Sequence, residues 1–388
     1  MAVSESSNNH DARQNLPKSQ IEAVLSVPPM KVTDPRHVRR VSITDTDTDR
    51  GKKTNDNTIW GCYQIVLYYE KLKKEEYDDG GMFLAGWIRD SLGKALLEEP
   101  LLAGRIQRKE HDKKVLEIVS NDSGVRLYEA RIPMRLSEFL ALKEKEHVVE
   151  GELVFWKEID EQSVEFSPLV YVQVTKFECG GYSIGVSSSL VLFDVLIIEN
   201  FIKKWSQIHN NSLSPQIEEH YNYNNKTPIF YHPILINEPP PSSVLSTTPT
   251  KKESQHTMLF KIKNSNMEQW RELAMICVEE TEQILQKNIG SDFLVLVKES
   301  SSEDIKIHNF SKSGYIKNNK KVDSEIVGGN WNDFGGYGEV AFQEGNKAVH
   351  VSHWIGSSVD VGYVIIAFPH VEENNGSAVV IVSLLSQN

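Results

Sequence analysis

The chain has 388 residues, 25% of them charged and 39% hydrophobic, with a formal net charge of -12. That length allows two ordinary domains with cores of their own. The acidic balance argues against nucleic acid or an anionic membrane surface held by bulk charge. No apolar run in the sequence is long enough for a signal peptide or a membrane-spanning helix, so membrane contact is expected to be peripheral or through a partner. The three cysteines, Cys62, Cys179 and Cys277, are widely spaced within apolar patterns and read as buried thiols of a cytoplasmic protein.

In chain order, residues 1–20 are rich in Ser, Asn and charge, with little to bury, which predicts a disordered tail. Ile21 to Thr33 alternates apolar and polar positions around Pro28-Pro29, the pattern of an edge strand. Arg39-Arg40-Val41-Ser42 reads as a solvated turn, or as a basophilic phosphorylation site, and Thr44 to Asn57 as a loop. Ile59 to Tyr69 is an apolar, aromatic strand. Phe83 to Leu97 is an amphipathic helix with Phe83, Trp87, Ile88, Leu92, Ala95 and Leu96 on one side. Pro100-Leu101-Leu102-Ala103-Gly104-Arg105 predicts a tight turn from helix into strand, in which Gly104 permits close packing and Arg105 pairs with a carboxylate. Asn121-Asp122-Ser123-Gly124 is a turn before the strand Val125 to Ala130.

Leu169 to Phe177 and Tyr182 to Ser188 flank Gly180-Gly181, which predicts a β-hairpin. A helix follows to about His209, with Ile197, Ile198, Phe201, Ile202, Trp205 and Ile208 on one face and Asp194 where it would begin. Residues 210–257 are dominated by Asn, Pro, Ser and Lys and read as a linker. Beyond it come a strand from Met258 to Ile262 and a capping box at Ser265 and Glu268. The helix that box starts runs to about Asn288, burying Trp270, Leu273, Ala274, Cys277, Thr281, Ile284 and Leu285. Phe293 to Val297 is a strand, Ser311 to Asp323 a basic polar loop, and Lys347 to Ser352, Val361 to Phe368 and Ala378 to Leu385 are strands.

Five stretches in this order resemble the plant acyl-CoA-dependent acyltransferases of the BAHD family. They are Pro100 to Arg105, Phe166-Ser167-Pro168-Leu169, the frame Gly185-x-Ser187-x-x-Leu190-x-x-x-Asp194-Val195, the linker, and Trp331-Asn332-Asp333-Phe334-Gly335-Gly336-Tyr337-Gly338. The resemblance implies an α/β (α+β) fold of two pseudo-symmetric mixed-sheet halves of chloramphenicol-acetyltransferase-like type. Residues 21–209 would form the first half, 210–257 the crossover, and 258–388 a second half shortened by the loss of a helix and strands. In the family, His-x-x-x-Asp-Gly carries the general base. Here Leu190 stands at the His position and Asp194 at the structural Asp. Asp333, Phe334, Gly335 and Gly338 match a second signature, Asp-Phe-Gly-Trp-Gly, which is regarded as structural. The likeness is strongest to the Eceriferum-2-like branch, through Asn121 to Gly124, Cys179-Gly180-Gly181 and Asp194-Val195. It implies acyl-CoA as substrate or ligand, a small hydroxylated or amine metabolite as acceptor, or a protein partner in a lipid-elongation complex at the surface of the endoplasmic reticulum. It implies no further cofactor, and no histidine or cysteine spacing suggests a metal.

Acyl transfer to a hydroxyl or amine needs a base within hydrogen-bond reach of the nucleophile, and such a base contributes about 10²–10⁴ in rate. Leu190 cannot supply one. Ser187, Ser188 and Ser189 are not bases without a His or Lys beside them. His209 reads as a surface or packing residue, and His350 and His353 lie on a strand whose alternation turns one of them inward. Two readings stand: a non-transferase that works by binding, and an acyltransferase or lyase with an unfamiliar base.

Overall fold

The computed structural model describes residues 17–44, 61–71, 82–109, 112–144, 147–160, 162–192, 195–213, 256–263, 266–286, 292–298, 304–312, 326–330, 339–343, 345–356, 362–368 and 377–384. The elements run β1 (Gln20–Val27), β2 (Val38–Thr44), β3 (Cys62–Tyr69), α1 (Met82–Ala95), β4 (Arg105–Lys109), β5 (Asp112–Val119), β6 (Val125–Ile132), α2 (Leu136–Lys143), β7 (Val170–Phe177), β8 (Tyr182–Ser189) and α3 (Val195–Leu213). They continue with β9 (His256–Ile262), α4 (Trp270–Leu285), β10 (Asp292–Lys298), β11 (Ile305–Ser311), β12 (Ile326–Asn330), β13 (Ala341–Gln343), β14 (Asn346–Lys347), β15 (His350–Gly356), β16 (Gly362–Ala367) and β17 (Ala378–Leu384).

Two mixed sheets carry the fold. One has six strands in the order β1-β6-β7-β8-β3-β15, the other nine in the order β12-β9-β17-β16-β10-β11-β2-β5-β4. Alternation along each strand sends side chains to opposite faces. Tyr63, Ile65, Leu67 and Tyr69 of β3 therefore share one core with Tyr363 and Ile365 of β16 and with Leu259, Leu294, Leu296 and Ile381. On the far side of the nine-stranded sheet, Val364, Ile366, Val380 and Val382 pack on Leu273, Ala274, Cys277 and Val278 of α4. On the far side of the six-stranded sheet, Val66 and Tyr68 pack on Leu136 and Phe139 of α2. Strands buried on both faces read as continuous apolar runs, which is why β3 and β16 are so hydrophobic.

The strands do not sort by their place in the sequence. β2, β4 and β5 belong to the larger sheet, where Val41 of β2 pairs in parallel with Ile305 of β11. β15 belongs to the smaller one, antiparallel to β3 with His350 opposite Tyr68 and Ile355 opposite Tyr63. The turn expected at Arg39 to Ser42 is thus a strand: Arg39 and Val41 are buried, and the charges hide an alternating pattern. The expected edge strand is at an edge, but β1 stops at Val27, before the Pro28-Pro29 pair that cannot donate to a ladder. Of the expected tail, residues 17–20 are among those described, and there the Ser19 N–H donates to Glu152 Oε2 at 2.9 Å. The sequence reading does not anticipate β5, β11, β12, β13 or α2.

Ahead of α4, Asn266 caps the short 3-10 turn Met267–Gln269, its side chain accepting the Glu268 N–H at 3.0 Å, and α4 ends at a left-handed Gln286. Ser265 lies outside the described residues, as do 1–16, 214–255, Asp194 and the whole of Trp331 to Gly338, including Asp333, Phe334, Gly335 and Gly338. Arg105 was expected to meet a carboxylate. Instead it is buried and donates to the carbonyls of Gly104 at 2.7 Å, Gly124 at 3.0 Å and Ser123 at 3.4 Å, with no carboxylate partner among the described residues, and burial lowers its pKa to about 10. Gly104 does permit close packing, since a methyl there would sit 2.4 Å from the Val119 carbonyl oxygen. Cys62 and Cys277 are buried thiols, whereas Cys179 lies in the β7–β8 turn and is partly exposed.

Candidate functional site

The hairpin β7–β8 sits in the middle of the six-stranded sheet, turned by Gly180 at a φ of 82° that L side chains rarely adopt. At its end the ladder runs one residue further: the Leu190 N–H donates to the Gly61 carbonyl at 2.9 Å, just ahead of β3. Leu190, Val191 and Leu192 then form a buried turn, braced by the Val191 N–H on Ser189 Oγ at 3.4 Å and by buried Arg39, which donates to the Leu192 carbonyl at 3.4 Å.

The Leu190 side chain is 0% exposed. It lies on the bare backbone of Gly61: a methyl at Gly61 would be 2.8 Å from Leu190 Cδ1 and 3.1 Å from both Cζ and Oη of Tyr363. The end of β8, the start of β3 and β16 of the opposite sheet therefore meet at this residue. An isobutyl group has no lone pair and no proton to exchange, and here it fills the space between the sheets.

On the inner row of β8, Ser188 Oγ is buried with no hydrogen-bond partner among the described residues. Ser187 faces the other way and accepts from Gln64 Nε2 at 3.1 Å. The two strand histidines separate as their spacing demands. His353 lies on the inner face with Tyr63, whose hydroxyl is 2.9 Å from His353 Nδ1 and whose ring stacks on the imidazole, while His350 lies on the outer face. Burial, with smaller contributions from His350 and Lys143, lowers the His353 pKa to about 3. A base that weak accepts a proton poorly at neutral pH.

His209 is buried between α1 and α3. Its Nδ1 is 2.9 Å from Ser91 Oγ, which also accepts the Trp205 Nε1–H at 3.0 Å, and its ring meets Phe342 edge-on. It is a packing residue, with its pKa lowered by burial to about 4. Between that value and the unfolded value near 6.5, only the unfolded chain takes up the proton, so acid favours unfolding through His209. Between pH 7 and pH 4 the parent is expected to lose on the order of 3 kcal/mol more than His209→Asn. Urea titrations across that range check this, and an equal loss in both proteins would contradict it. Among the described residues, no group of three or more His, Cys, Asp or Glu side chains could hold a metal ion, and no helix is long and apolar enough to cross a membrane.

The position of this loop can now be set beside known proteins. A family model described as "Transferase family" matches residues 55–283, more than half of the chain and inclusive of the hairpin and Leu190. The chain belongs to the BAHD acyltransferase family. Among curated relatives, it is 28% identical over 120 residues to a protein ECERIFERUM 26-like of Arabidopsis thaliana, an alignment covering 31% of this chain and 27% of that protein. It is 42% identical over 103 residues to the brassinosteroid-related acyltransferase 1 of the same plant, covering 26% of this chain and 22% of that one. The chain thus spans about a quarter of the length of the curated relatives it matches. A crystal structure of vinorine synthase matches at 13% identity and a TM-score of 0.45 over 94% of each chain. Within the BAHD family, the two-sheet α/β arrangement seen here is the expected one, and Leu190 occupies the loop after the central hairpin.

Proposed function

We propose that this BAHD-family protein does not carry out acyl-CoA-dependent transfer at the loop after β8 and acts by binding. It would be an accessory protein of very-long-chain lipid or wax metabolism, with acyl-CoA or a small metabolite as ligand. A lipid-elongation complex would be its partner, met from the cytoplasm at the endoplasmic reticulum surface. One observation carries the reading: Leu190 is wholly buried against Gly61, in the core that also holds Tyr363, where transfer chemistry would need a titrating group beside an open acceptor. The similarity to proteins named ECERIFERUM supports the accessory role.

The test uses the purified chain with a panel of acyl-CoA thioesters, alcohols and amines, and counts acylated acceptor by mass. The parent is expected to bind acyl-CoA in calorimetry yet to acylate nothing, and Leu190→His to raise transfer by about 10²-fold or more. Thermal unfolding shows whether the variant is folded. Transfer by the parent at a rate unaffected by Leu190 substitutions would overturn the reading. The second reading, a transferase or lyase with an unfamiliar base, is favoured by one observation: His353 faces the space between the sheets beside Tyr63. Loss of parental activity in His353→Gln would select it.

A further inference from the structure

A second polar cluster lies on the outer face of the six-stranded sheet, on the opposite side from Leu190. β15 places His350 and Ser352 on that face by their two-residue spacing, opposite Tyr68 and Val66 of β3. α2 ends above them at Lys143, and the short turn His147–Leu153 brings in Glu150. Ser352 Oγ lies 3.1 Å from His350 Nε2 and accepts from Lys143 Nζ at 2.8 Å. Lys143 also contacts His350 Nε2 and sits 3.3 Å from Glu150 Oε1, which in turn accepts the Tyr68 hydroxyl at 2.7 Å.

Each part has a chemical role. A serine hydroxyl becomes a nucleophile when a neutral base takes its proton and a cation steadies the oxygen left behind. Burial, then the Lys143 cation, lowers the His350 pKa, so its imidazole is neutral at pH 7, as a base must be, and a weaker base than a free imidazole. Lys143 is pulled down by burial, while Glu150 opposes that and favours the cation. The Tyr68 hydroxyl, with its pKa raised by burial and by Glu150, remains protonated and holds the carboxylate in place. The cluster is only partly covered: Lys143 keeps 12% of its side chain in solvent and His350 is partly exposed, while Ser352 beneath them is 9% exposed.

We propose that Ser352 is the nucleophile of a hydrolytic site for carboxylic esters, with His350 as its base, Lys143 as the cation on its oxygen, and Glu150 and Tyr68 as positioning residues. Ser352 Oγ adds to the ester carbonyl as its proton passes to His350 Nε2. The tetrahedral intermediate collapses, the C–O bond to the alcohol breaks, and the leaving oxygen takes the proton back from His350. Water then adds to the acyl-serine, again giving its proton to His350, and Ser352 leaves with that proton as the carboxylic acid departs. No oxidant, reductant or metal is required.

A purely structural clamp between β15 and α2 would use the same contacts but would leave Ser352 unreactive. A biotinylated fluorophosphonate separates the two. The intact parent is expected to gain one covalent adduct, mapped by peptide mass spectrometry to Ser352, and to hydrolyse 4-nitrophenyl acetate with an initial burst. His350→Gln and Lys143→Met should each slow labelling by about 10²-fold or more while far-ultraviolet dichroism is retained. Because the parent's adduct site is read directly, the result stands even if a variant fails to fold. No adduct on the folded parent, an adduct at another residue, or acylation of Lys143 in place of Ser352 would each overturn the proposal.

Discussion

Gly185→Ala is expected to cost about 3 kcal/mol of stability or more, enough to remove most soluble protein. Gly185 is in the middle of β8, and the turn ending at Leu153 runs directly over it. An added methyl would lie 2.1 Å from the Leu153 carbonyl oxygen and 2.8 Å from Val154 Cγ1. The obstacle is backbone, and it cannot swing aside, because Gln173 Nε2 of β7 donates to the neighbouring Glu152 carbonyl at 2.8 Å and pins that turn to the sheet. The strand on the other side is equally fixed, with β8 laddered to both β7 and β3. Urea titration reads the effect as a fall in midpoint at unchanged slope. Gly86→Ala in α1, where a methyl meets nothing within 4 Å, is the matching control and should be neutral or stabilising by up to about 1 kcal/mol. Equal stabilities for the two variants would refute the account.

Trp205→Ala is expected to cost about 4 kcal/mol. The indole is 0% exposed and joins three elements: it donates to Ser91 of α1 at 3.0 Å, sits on α3 beside Phe201, and meets Phe342 of β13 edge-on at 4.7 Å between centroids. Removing it leaves a large cavity and takes a donor from Ser91 Oγ, so transfer, cavity and hydrogen-bond losses add. Unfolding followed by far-ultraviolet dichroism checks the value without depending on tryptophan emission. A loss under about 1 kcal/mol would show that α1 and α3 close the gap by themselves.

Sequence was informative wherever one physical signal dominated. Gly180-Gly181 between two β-branched runs gave the hairpin to within a residue or two of β7 and β8. The three- and four-residue spacing of Ile198, Phe201, Ile202 and Trp205 gave α3, though the helix runs four residues past His209 to Leu213. Where two signals competed, the reading failed. In β2, Arg39 and Arg40 read as solvent-facing charge, yet Arg39 is buried beneath the Leu190–Leu192 turn, and only the larger sheet makes that placement worthwhile. β11 was missed because Lys306, His308 and Asn309 dilute its alternation, while Ile305 and Ile307 are buried. At the site, Leu190 was visible in the frame of a family motif. That it packs on Gly61 in a core shared with Tyr363 is not, because those residues come from the approach to an adjacent strand and from the other sheet. The Lys143, Glu150 and Ser352 cluster has no sequence signal either: Lys143 and Ser352 are 209 positions apart, and only the pairing of β15 with β3 and the packing of α2 on that sheet bring them together.

The placement of β15 bears on how the chain is made. Translation produces β3 well before His350–Gly356, with Tyr63 and His353 separated by 290 positions, so one side of β3 has no ladder partner until that later strand is made. A long, apolar, unpaired strand is a template for joining another chain. Closure over so great a sequence separation is also slow. This molecule should therefore depend on holding chaperones until β15 has emerged from the ribosome and can pair with β3.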